Sequence, residues 1–319
     1  MVPSKLQIVK QIMNISSDDE FNYLASIFND HQLENVPIIA EYRNMIGVDF
    51  PFLPVELFKS YVINTKPTAE VIFKSSGTTS SQRSSHHVYD ASLYRKLSLL
   101  GFEKQFGSVK DACIIALLPS YIDNGDSSLV YMVNHFIDHS QHPESGFIDL
   151  DHAKSKITNL QQSRTTTFLF GVSFALIDLA EILSTEFPEL CIIETGGMKG
   201  QRKEMTRAEL HAQIQMAFPR SRIESEYGMT ELLSQAYTSD GHWFNPPPWM
   251  KVSAVDISDP FNILPIGQRG LLAITDLANY HSCSFIQTRD VGIVNDFGEF
   301  TVEGRLDNSD IRGCNLLHP

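Results

Sequence analysis

The sequence predicts an α/β fold: mixed sheets with packed helices, plus a smaller, mostly β part. Three observations predict it. Short apolar runs alternate with segments of helical periodicity through the first three quarters of the chain. A loop rich in Ser, Thr and Gly follows one of those apolar runs, at residues 73–87, FKSSGTTSSQRSSHH. After about Phe244 the texture changes to short runs divided by Gly, Pro and Asp.

Taken in order, the first 60 residues read as helical, with Ser17 before Asp18, Asp19 and Glu20 as a helix start. Val71-Ile72-Phe73 reads as a strand entering the hydroxyl-rich loop. Residues 91–106 place Leu93, Leu97 and Leu100 at helical spacing. Residues 112–118 (ACIIALL) read as a buried strand ending at Pro119, and 128–138 as a buried helix. Residues 166–172 (TTFLFGV) form a strand, followed by a helix over 174–187. Residues 190–194 (LCIIE) form a strand broken at Gly196-Gly197. Residues 204–218 are helical, with Leu210, Ile214 and Phe218 on one face. Pro246-Pro247-Pro248 marks a break. Beyond it, WMKVSAVDI, GLLAITDL, CSFIQTRDVGIV and EFTVEG read as strands. No internal repeat or low-complexity tail is visible.

The bulk numbers narrow the function classes. With 319 residues, 42% hydrophobic and 20% charged, the chain has enough apolar material for a real core. A net charge of −13 argues against a non-specific nucleic-acid or anionic-membrane binder. No signal peptide and no membrane span are expected, since no apolar stretch approaches the required length. Cys113, Cys191, Cys283 and Cys314 are scattered without a CxxC pair, which fits reduced thiols and a cytoplasmic location.

The hydroxyl-rich loop admits two readings. Gly77 lets the backbone approach a ligand closely, and small side chains leave N–H groups free to meet phosphate oxygens. It is no P-loop of the G-x-x-x-x-G-K-[ST] kind, having one Gly and no Lys at the needed spacing. The alternative is a flexible surface loop, which such clusters often mark.

Further stretches bear on the choice: Glu194-Thr195-Gly196-Gly197-Met198-Lys199, Ser225-Glu226-Tyr227-Gly228-Met229-Thr230-Glu231, and Thr288-Arg289-Asp290-Val291-Gly292 with Gly304-Arg305-Leu306-Asp307 and Arg312-Gly313. With Ser75-Ser76-Gly77-Thr78-Thr79 they resemble, in the same order, the core motifs of the adenylate-forming superfamily, which includes acyl-CoA synthetases, firefly luciferase and peptide-synthetase adenylation domains. Within it the chain most resembles the acyl-protein synthetase (LuxE) family, then phenylacetate-CoA ligases. Three features carry that finer resemblance: the ending SDIRGCNLL, GFIDLDHA after LLPSYIDNGDSSLVYM, and the stop at Pro319.

The resemblance implies the large N-terminal domain of the adenylate-forming fold over 1–302, with an α/β part over 1–244 and a mostly β subdomain over 245–302. Residues 303–319 would be a hinge remnant and C-terminal tail, with the small C-terminal domain and its lysine absent. It implies ATP and Mg²⁺ as cofactors and a carboxylic acid, in this family a fatty acid, as substrate. Ser75, Ser76, Gly77, Thr78 and Thr79 would hold the β- and γ-phosphates. The family pattern continues Gly, any residue, Pro, Lys; here Ser80, Ser81, Gln82 and Arg83 stand there, so Arg83 keeps the cation. Thr230 would contact the α-phosphate and Glu231 would be the Mg²⁺ ligand, since a hard cation takes carboxylate oxygen. Gly196 and Gly197 would line the adenine, and Tyr227 and Gly228 would border the adenine and acyl pocket. Asp290 would accept hydrogen bonds from the ribose hydroxyls, and Arg305 would donate to the same ribose. Read singly, Asp290 closes a turn before Gly292 and Glu231 is a helix-start acid.

In the acyl-protein synthetases the acyl group passes to a cysteine near the C-terminus, which points to Cys314, beside Arg312; the alternative for Cys314 is a small residue tucked under the hinge. Protein partners implied are an acyl reductase, an acyltransferase or an acyl carrier protein. Two other functions stay open: an acyl-CoA or acyl-carrier-protein ligase, and an inactive nucleotide- or acyl-binding module working through a partner. His86-His87 and His135, His139 and His142 read as solvated or hydrogen-bonded histidines, since the metal pattern needs Glu where Phe136 stands. No G-x-S-x-G is present for a serine hydrolase.

Overall fold

The computed structural model of the protein describes residues 5–48, 51–76, 82–119, 125–196 and 205–306. In chain order the elements are α1 (Lys5–Met13), α2 (Asp18–Asn35), α3 (Pro37–Ile46), β1 (Leu53–Pro54), β2 (Val71–Lys74), β3 (Ser85–Val88), α4 (Ala91–Phe106), β4 (Cys113–Leu117), α5 (Ser128–Ser140), β5 (Gly146–Phe147), α6 (Leu150–Gln162), β6 (Thr167–Val172), α7 (Ser173–Ile182), β7 (Leu190–Thr195), α8 (Arg207–Ala217), β8 (Arg222–Tyr227), β9 (Ala236–Thr238), β10 (Phe244–Asn245), β11 (Met250–Val255), β12 (Arg269–Asp276), β13 (Phe285–Ile293) and β14 (Gly304–Arg305). They form two compact units. One holds residues 1–93, 231–234 and 245–319; the other holds 94–230 and 235–244.

The second unit is built on a sheet of order β10-β9-β8-β7-β6-β4-β5. β5, β4, β6, β7 and β8 run parallel, and β9 joins β8 antiparallel. Every residue of β4, β6 and β7 is buried, which is why these strands read as unbroken apolar runs rather than alternating ones. Helices cover both faces. Phe102 of α4 packs against Phe136 of α5, Phe168 and Phe170 of β6, and Tyr237 of β9. On the other face Leu176 of α7 fills the space that a Cβ at Gly171 would need, and His211 of α8 reaches Ser225 of β8.

The first unit holds a sheet of order β1-β13-β12-β11, with β14 pairing β13, and a separate hairpin of β2 with β3. The loop read as following a strand thus lies between two antiparallel strands, with Phe73 opposite His86. α2 docks through Gln32, whose amide donates to the carbonyls of Asn279 and Tyr280 and whose Oε1 accepts from the Ser284 N–H.

Local chemistry sets the boundaries. Ser17 caps α2 by accepting from the Glu20 N–H. Thr206 and Glu209 form a capping box that starts α8 at Arg207, later than the periodicity from 204 predicts. α7 ends at Ile182, short of the helix predicted to 187, because Leu183 turns extended. The first 60 residues are helical only to Ile46; Leu53–Pro54 pairs with β13, and Val55–Lys59 forms a 3₁₀ turn. His86 is wholly buried, hydrogen-bonded to the Ser282 hydroxyl at 2.8 Å and edge-on to Phe58.

Candidate functional site

The residues singled out in the sequence divide between the two units. Ser75, Ser76, Arg83, Glu231, Asp290 and Arg305 lie in the first; Gly196, Tyr227, Gly228 and Thr230 lie in the second. Gly77, Thr78, Thr79, Gly197 and Cys314 lie outside the described residues.

In the first unit the loop after β2 is clasped at its base. The Ser75 N–H donates to the Ser84 carbonyl at 3.0 Å, and the Ser84 N–H donates to the Ser75 hydroxyl at 2.9 Å. Arg83 turns its guanidinium back onto the carbonyls of Lys74 and Ser75. Ser76 is exposed at the rim. The Ser84 side chain points inward and hydrogen-bonds the Glu231 carboxylate.

Glu231 is buried, at 6% exposure. Burial is the main force raising its carboxyl above the ordinary carboxylate range; the Ser84 bond and the charge of Arg305 pull it back, and Asp290 adds a further push upward. A carboxylate stripped of water, with a second carboxylate in its field, is a group that a cation would stabilise. The site therefore fits a hard divalent ion such as Mg²⁺ by the chemistry of its oxygen donors.

Two side chains absent from the sequence motifs hold Glu231 in place. Asn279 donates its amide to the Glu231 carbonyl at 2.8 Å. Asp276 accepts from the N–H groups of Leu233 and Ser234, both at 3.0 Å, and from the Ser234 hydroxyl at 2.6 Å. Trp249 closes the arrangement by donating its indole N–H to the Ser234 hydroxyl at 3.0 Å. Asp276 is fully buried, and its carboxyl is pushed up to about 6 by burial, against the pull of those donors. Its place as the cap of the 3₁₀ turn Leu277–Asn279 is readable locally. Its partners are some forty residues back in the chain, where no local pattern points.

Asp290 and Arg305 face each other as register partners of β13 and β14. Gly292 makes that pairing possible. A Cβ there would sit 1.9 Å from the Thr301 carbonyl oxygen, so only glycine lets 301–303 run so close to β13. The Glu303 N–H then bonds Val291, and the Leu306 N–H bonds Arg289, on either side of Arg305. Asp290 is half-buried and Arg305 exposed.

In the second unit the sequence-derived residues gather at the C-terminal ends of β7 and β8, where open parallel sheets bind ligands. Gly196 leaves β7 with φ +74°, a left-handed turn that glycine takes at no steric cost. Below it Glu194 is buried, with one carboxylate oxygen accepting from Ser173 at 2.6 Å and the other from Ser225 at 2.8 Å. Burial raises its carboxyl; the two hydroxyls and Arg207 pull it down. His211 joins through Ser225 at 3.0 Å, and burial beside Arg207 pushes its imidazole down to about 4, keeping it neutral. Tyr227 is buried with its ring 5.8 Å from Phe244, Gly228 is exposed, and Thr230 is half-buried. Glu226, unremarked in the sequence beyond its place in the motif, accepts from the Thr195 hydroxyl. Its carboxyl is raised to about 7, mostly by burial and partly by Glu194.

No family model matches the chain, and no curated protein matches it. Solved structures do. 2-Hydroxyisobutyryl-CoA ligase, in complex with 2-HIB-AMP and CoA, superposes with a TM-score of 0.68 at 12% identity, covering 97% of this chain and 73% of that one. ATP-bound MatB from Rhodopseudomonas palustris gives 0.54 at 16% identity, over 76% of this chain and 49% of that one. The long-chain-fatty-acid-CoA ligase FadD1 from Archaeoglobus fulgidus gives 0.51 at 14%, over 77% and 53%. The chain spans about half the length of MatB and FadD1. No helix among the described residues is long and apolar enough to cross a membrane. The chain has the fold of the large N-terminal domain of adenylate-forming enzymes.

Proposed function

We propose that the protein activates a carboxylic acid with ATP, forming an acyl-adenylate and pyrophosphate, and then passes the acyl group to a thiol. One observation carries the proposal. Glu231, from one sequence motif, is buried where Ser84, at the base of the hydroxyl-rich loop, bonds it and where Asp290 and Arg305, from two further motifs, act on its charge. Four separate stretches thus meet electrostatically in one unit. The fold supports the same proposal, since two of the superposed enzymes are named as CoA ligases and one of those holds an adenylate.

The first step has a charge problem. A carboxylate oxygen attacks the α-phosphorus, a P–O bond breaks, and pyrophosphate leaves with the electron pair. Every participant is anionic, so positioning and electrostatic stabilisation carry the catalysis. Ser75, Ser76, Gly77, Thr78 and Thr79 would donate to the β- and γ-phosphates, with Arg83 as the nearby cation. Thr230 would donate to the α-phosphate. Asp290 would accept from the ribose hydroxyls while Arg305 donates to them. Gly196, Gly197, Tyr227 and Gly228 would border the base. Glu231 would hold Mg²⁺, which when bound supplies positive charge to the phosphate oxygens. In the second step a thiolate attacks the acyl carbonyl, AMP leaves, and the thiol proton passes to solvent.

The acceptor in this proposal is Cys314, as in acyl-protein synthetases, with an acyl reductase, acyltransferase or acyl carrier protein downstream. A second acceptor, coenzyme A, is favoured by one observation: the superposed 2-hydroxyisobutyryl-CoA ligase is bound to CoA. The test is exchange of labelled pyrophosphate into ATP over a panel of carboxylic acids. Exchange with at least one acid is expected, and Glu231→Gln should lower it by at least about a hundredfold. A thioester mass shift abolished by Cys314→Ala assigns the acceptor; CoA-dependent thioester formation indifferent to that change assigns CoA. Exchange at wild-type rate in Glu231→Gln would overturn the assignment of the metal ligand.

A further inference from the structure

His86 has no part in the chemistry above, yet it lies beside the first unit's site. It sits on β3, where the hairpin register sets it opposite Phe73. Residues two apart in an extended chain point to one side. Ser84 and His86 are accordingly both buried, at 4% and 0% exposure, while Ser85 between them is half-buried. Ser84 hydrogen-bonds the Glu231 carboxylate. His86 meets the Ser282 hydroxyl through Nε2 at 2.8 Å, and Phe58, edge-on at 5.6 Å, packs against the imidazole.

Ser282 closes the path. Its N–H donates to the Asn279 carbonyl at 2.9 Å, and the Asn279 amide donates to the Glu231 carbonyl at 2.8 Å. Bonds and chain thus run from Glu231 through Ser84, His86, Ser282 and Asn279 back to Glu231, a closed ring of buried residues. The turn on its far side is pinned from two further directions. Gln32 of α2 donates to the carbonyls of Asn279 and Tyr280 and to the Ser284 hydroxyl, and the Thr65 N–H donates to the His281 carbonyl at 2.8 Å. On its near side the ring includes the base of the hydroxyl-rich loop, where Ser84 and Ser75 exchange bonds. A buried polar group is costly without its bond, and a leucine could occupy the space between Phe58 and Phe73 without that cost. Packing alone therefore does not account for an imidazole here.

We propose that His86 is a positioning residue: by bonding Ser282 it holds the base of the hydroxyl-rich loop and the Glu231 carboxylate at one fixed spacing. The loop and Glu231 come from distant parts of the chain, and nothing local sets one relative to the other. The ring does so through side chains whose own partners are fixed, which is how a site is held ready for a ligand. The inference deepens the function proposed above. It rests on that function for one point, that the loop takes phosphate and Glu231 takes the metal. Spacing matters where one ligand must meet both, and Mg²⁺ with a triphosphate is such a ligand, since Mg²⁺ takes protein carboxylate and phosphate oxygens together.

Two measurements on the full chain test it, the first without ligand. Hydrogen exchange read by mass spectrometry follows the amides of residues 231–234. His86→Leu and Ser282→Ala should each speed their exchange at least about tenfold while β11 keeps its wild-type rate. His86→Gln, whose amide can donate to a hydroxyl or accept from it, should restore protection. Ser282→Ala carries the test alone where His86→Leu does not fold. Unchanged protection of 231–234 in Ser282→Ala, loosening spread evenly over the unit, or equal loosening by Leu and Gln would each overturn the role of the bond. The second measurement is calorimetry of ATP with Mg²⁺ and with EDTA. The gain in ATP affinity that Mg²⁺ brings should fall at least about fivefold in His86→Leu and in Ser282→Ala, and no further in the double variant, because both changes break one bond. ATP affinity in EDTA should stay at the wild-type value. An undiminished gain, or additive losses in the double variant, would overturn the spacing role. Absence of any Mg²⁺ gain in the wild type would instead overturn the metal assignment of Glu231, and absence of ATP binding would overturn the acid-activating function. Hydrogen exchange would then still decide whether His86 holds Glu231.

Discussion

Asn279 donates its side-chain amide to the backbone carbonyl of Glu231 at 2.8 Å, across 48 residues of sequence. With Asp276 bonding Leu233 and Ser234, this fixes the whole of the short segment 231–234 to one 3₁₀ turn. Glu231 is thereby placed by side chains that lie outside the motifs read in the sequence. Asn279→Ala leaves a buried carbonyl unsatisfied and should cost about 1–3 kcal/mol in urea denaturation. It should also lower pyrophosphate exchange in samples still fully folded. Full exchange activity in the folded variant would show that Glu231 needs no such tether.

The sequence was legible where a local pattern and a tertiary demand coincide. β4, β6 and β7 are flanked on both faces, so burial itself writes their apolar runs. α4 keeps its limits because Leu93 and Leu97 mark its buried side. β3 went unread because Ser85-His86-His87-Val88 is polar, and only pairing with β2 and the pocket formed by Phe58 and Ser282 make it a strand. Glu231, Asp290 and Arg305 can be picked out of the sequence one by one, and their nucleotide roles belong to the proposal. What holds them was not legible: the links Asn279–Glu231 and Asp276–Ser234 join distant segments. The β8–β9 register was equally hidden; it sets Tyr237, rather than its neighbours Ala236 or Thr238, opposite Glu226.

The cysteines yield a labelling prediction. Cys113, Cys191 and Cys283 are buried, and burial pushes their thiols up to about 11, 12 and 12. At pH 8 no more than on the order of 0.1% of any of them is thiolate, and access is closed as well. Alkylation of the native protein at pH 8 should therefore leave Cys113, Cys191 and Cys283 unmodified. Peptide mapping reads the outcome. Label on Cys113, Cys191 or Cys283 at comparable rate would contradict the burial. Loss of Cys314 labelling on incubation with ATP and a productive acid would in addition support its role as acceptor.

Glu226 predicts a pH dependence of stability. Its carboxyl titrates near 4.5 when ordinary and at about 7 in the fold. The folded state therefore binds the proton more tightly, and stability falls as pH rises from about 4.5 to 7, levelling off above. Asp276 acts in the same direction, from 3.8 to about 6. The interval between pH 6 and 7 thus separates the two. Glu226→Gln cannot ionise, so its stability curve should be flatter than wild type in that interval and should lie closer to or above it at pH 8. Chemical denaturation at half-unit pH steps measures both. An unchanged slope between pH 6 and 7 would place the titration elsewhere.

Two glycines differ in what crowds them, and their alanine variants should differ accordingly. At Gly292 the new methyl would meet a backbone oxygen, Thr301 O, at 1.9 Å, and nothing in 301–303 can swing aside while β14 stays paired with β13. Gly292→Ala should cost about 1–3 kcal/mol or more and should separate Arg305 from Asp290. ATP affinity should then fall with it. At Gly228 the methyl would meet Glu226 Oε1 at 2.3 Å, the far end of a side chain that can turn. Gly228→Ala should therefore cost less stability than Gly292→Ala. Combining it with Glu226→Ser removes the clashing oxygen and should restore stability. Denaturation midpoints and ATP titrations of the two single variants and the double variant decide the matter. Equal destabilisation by both alanines would mean that the Glu226 carboxyl is held as rigidly as a backbone carbonyl.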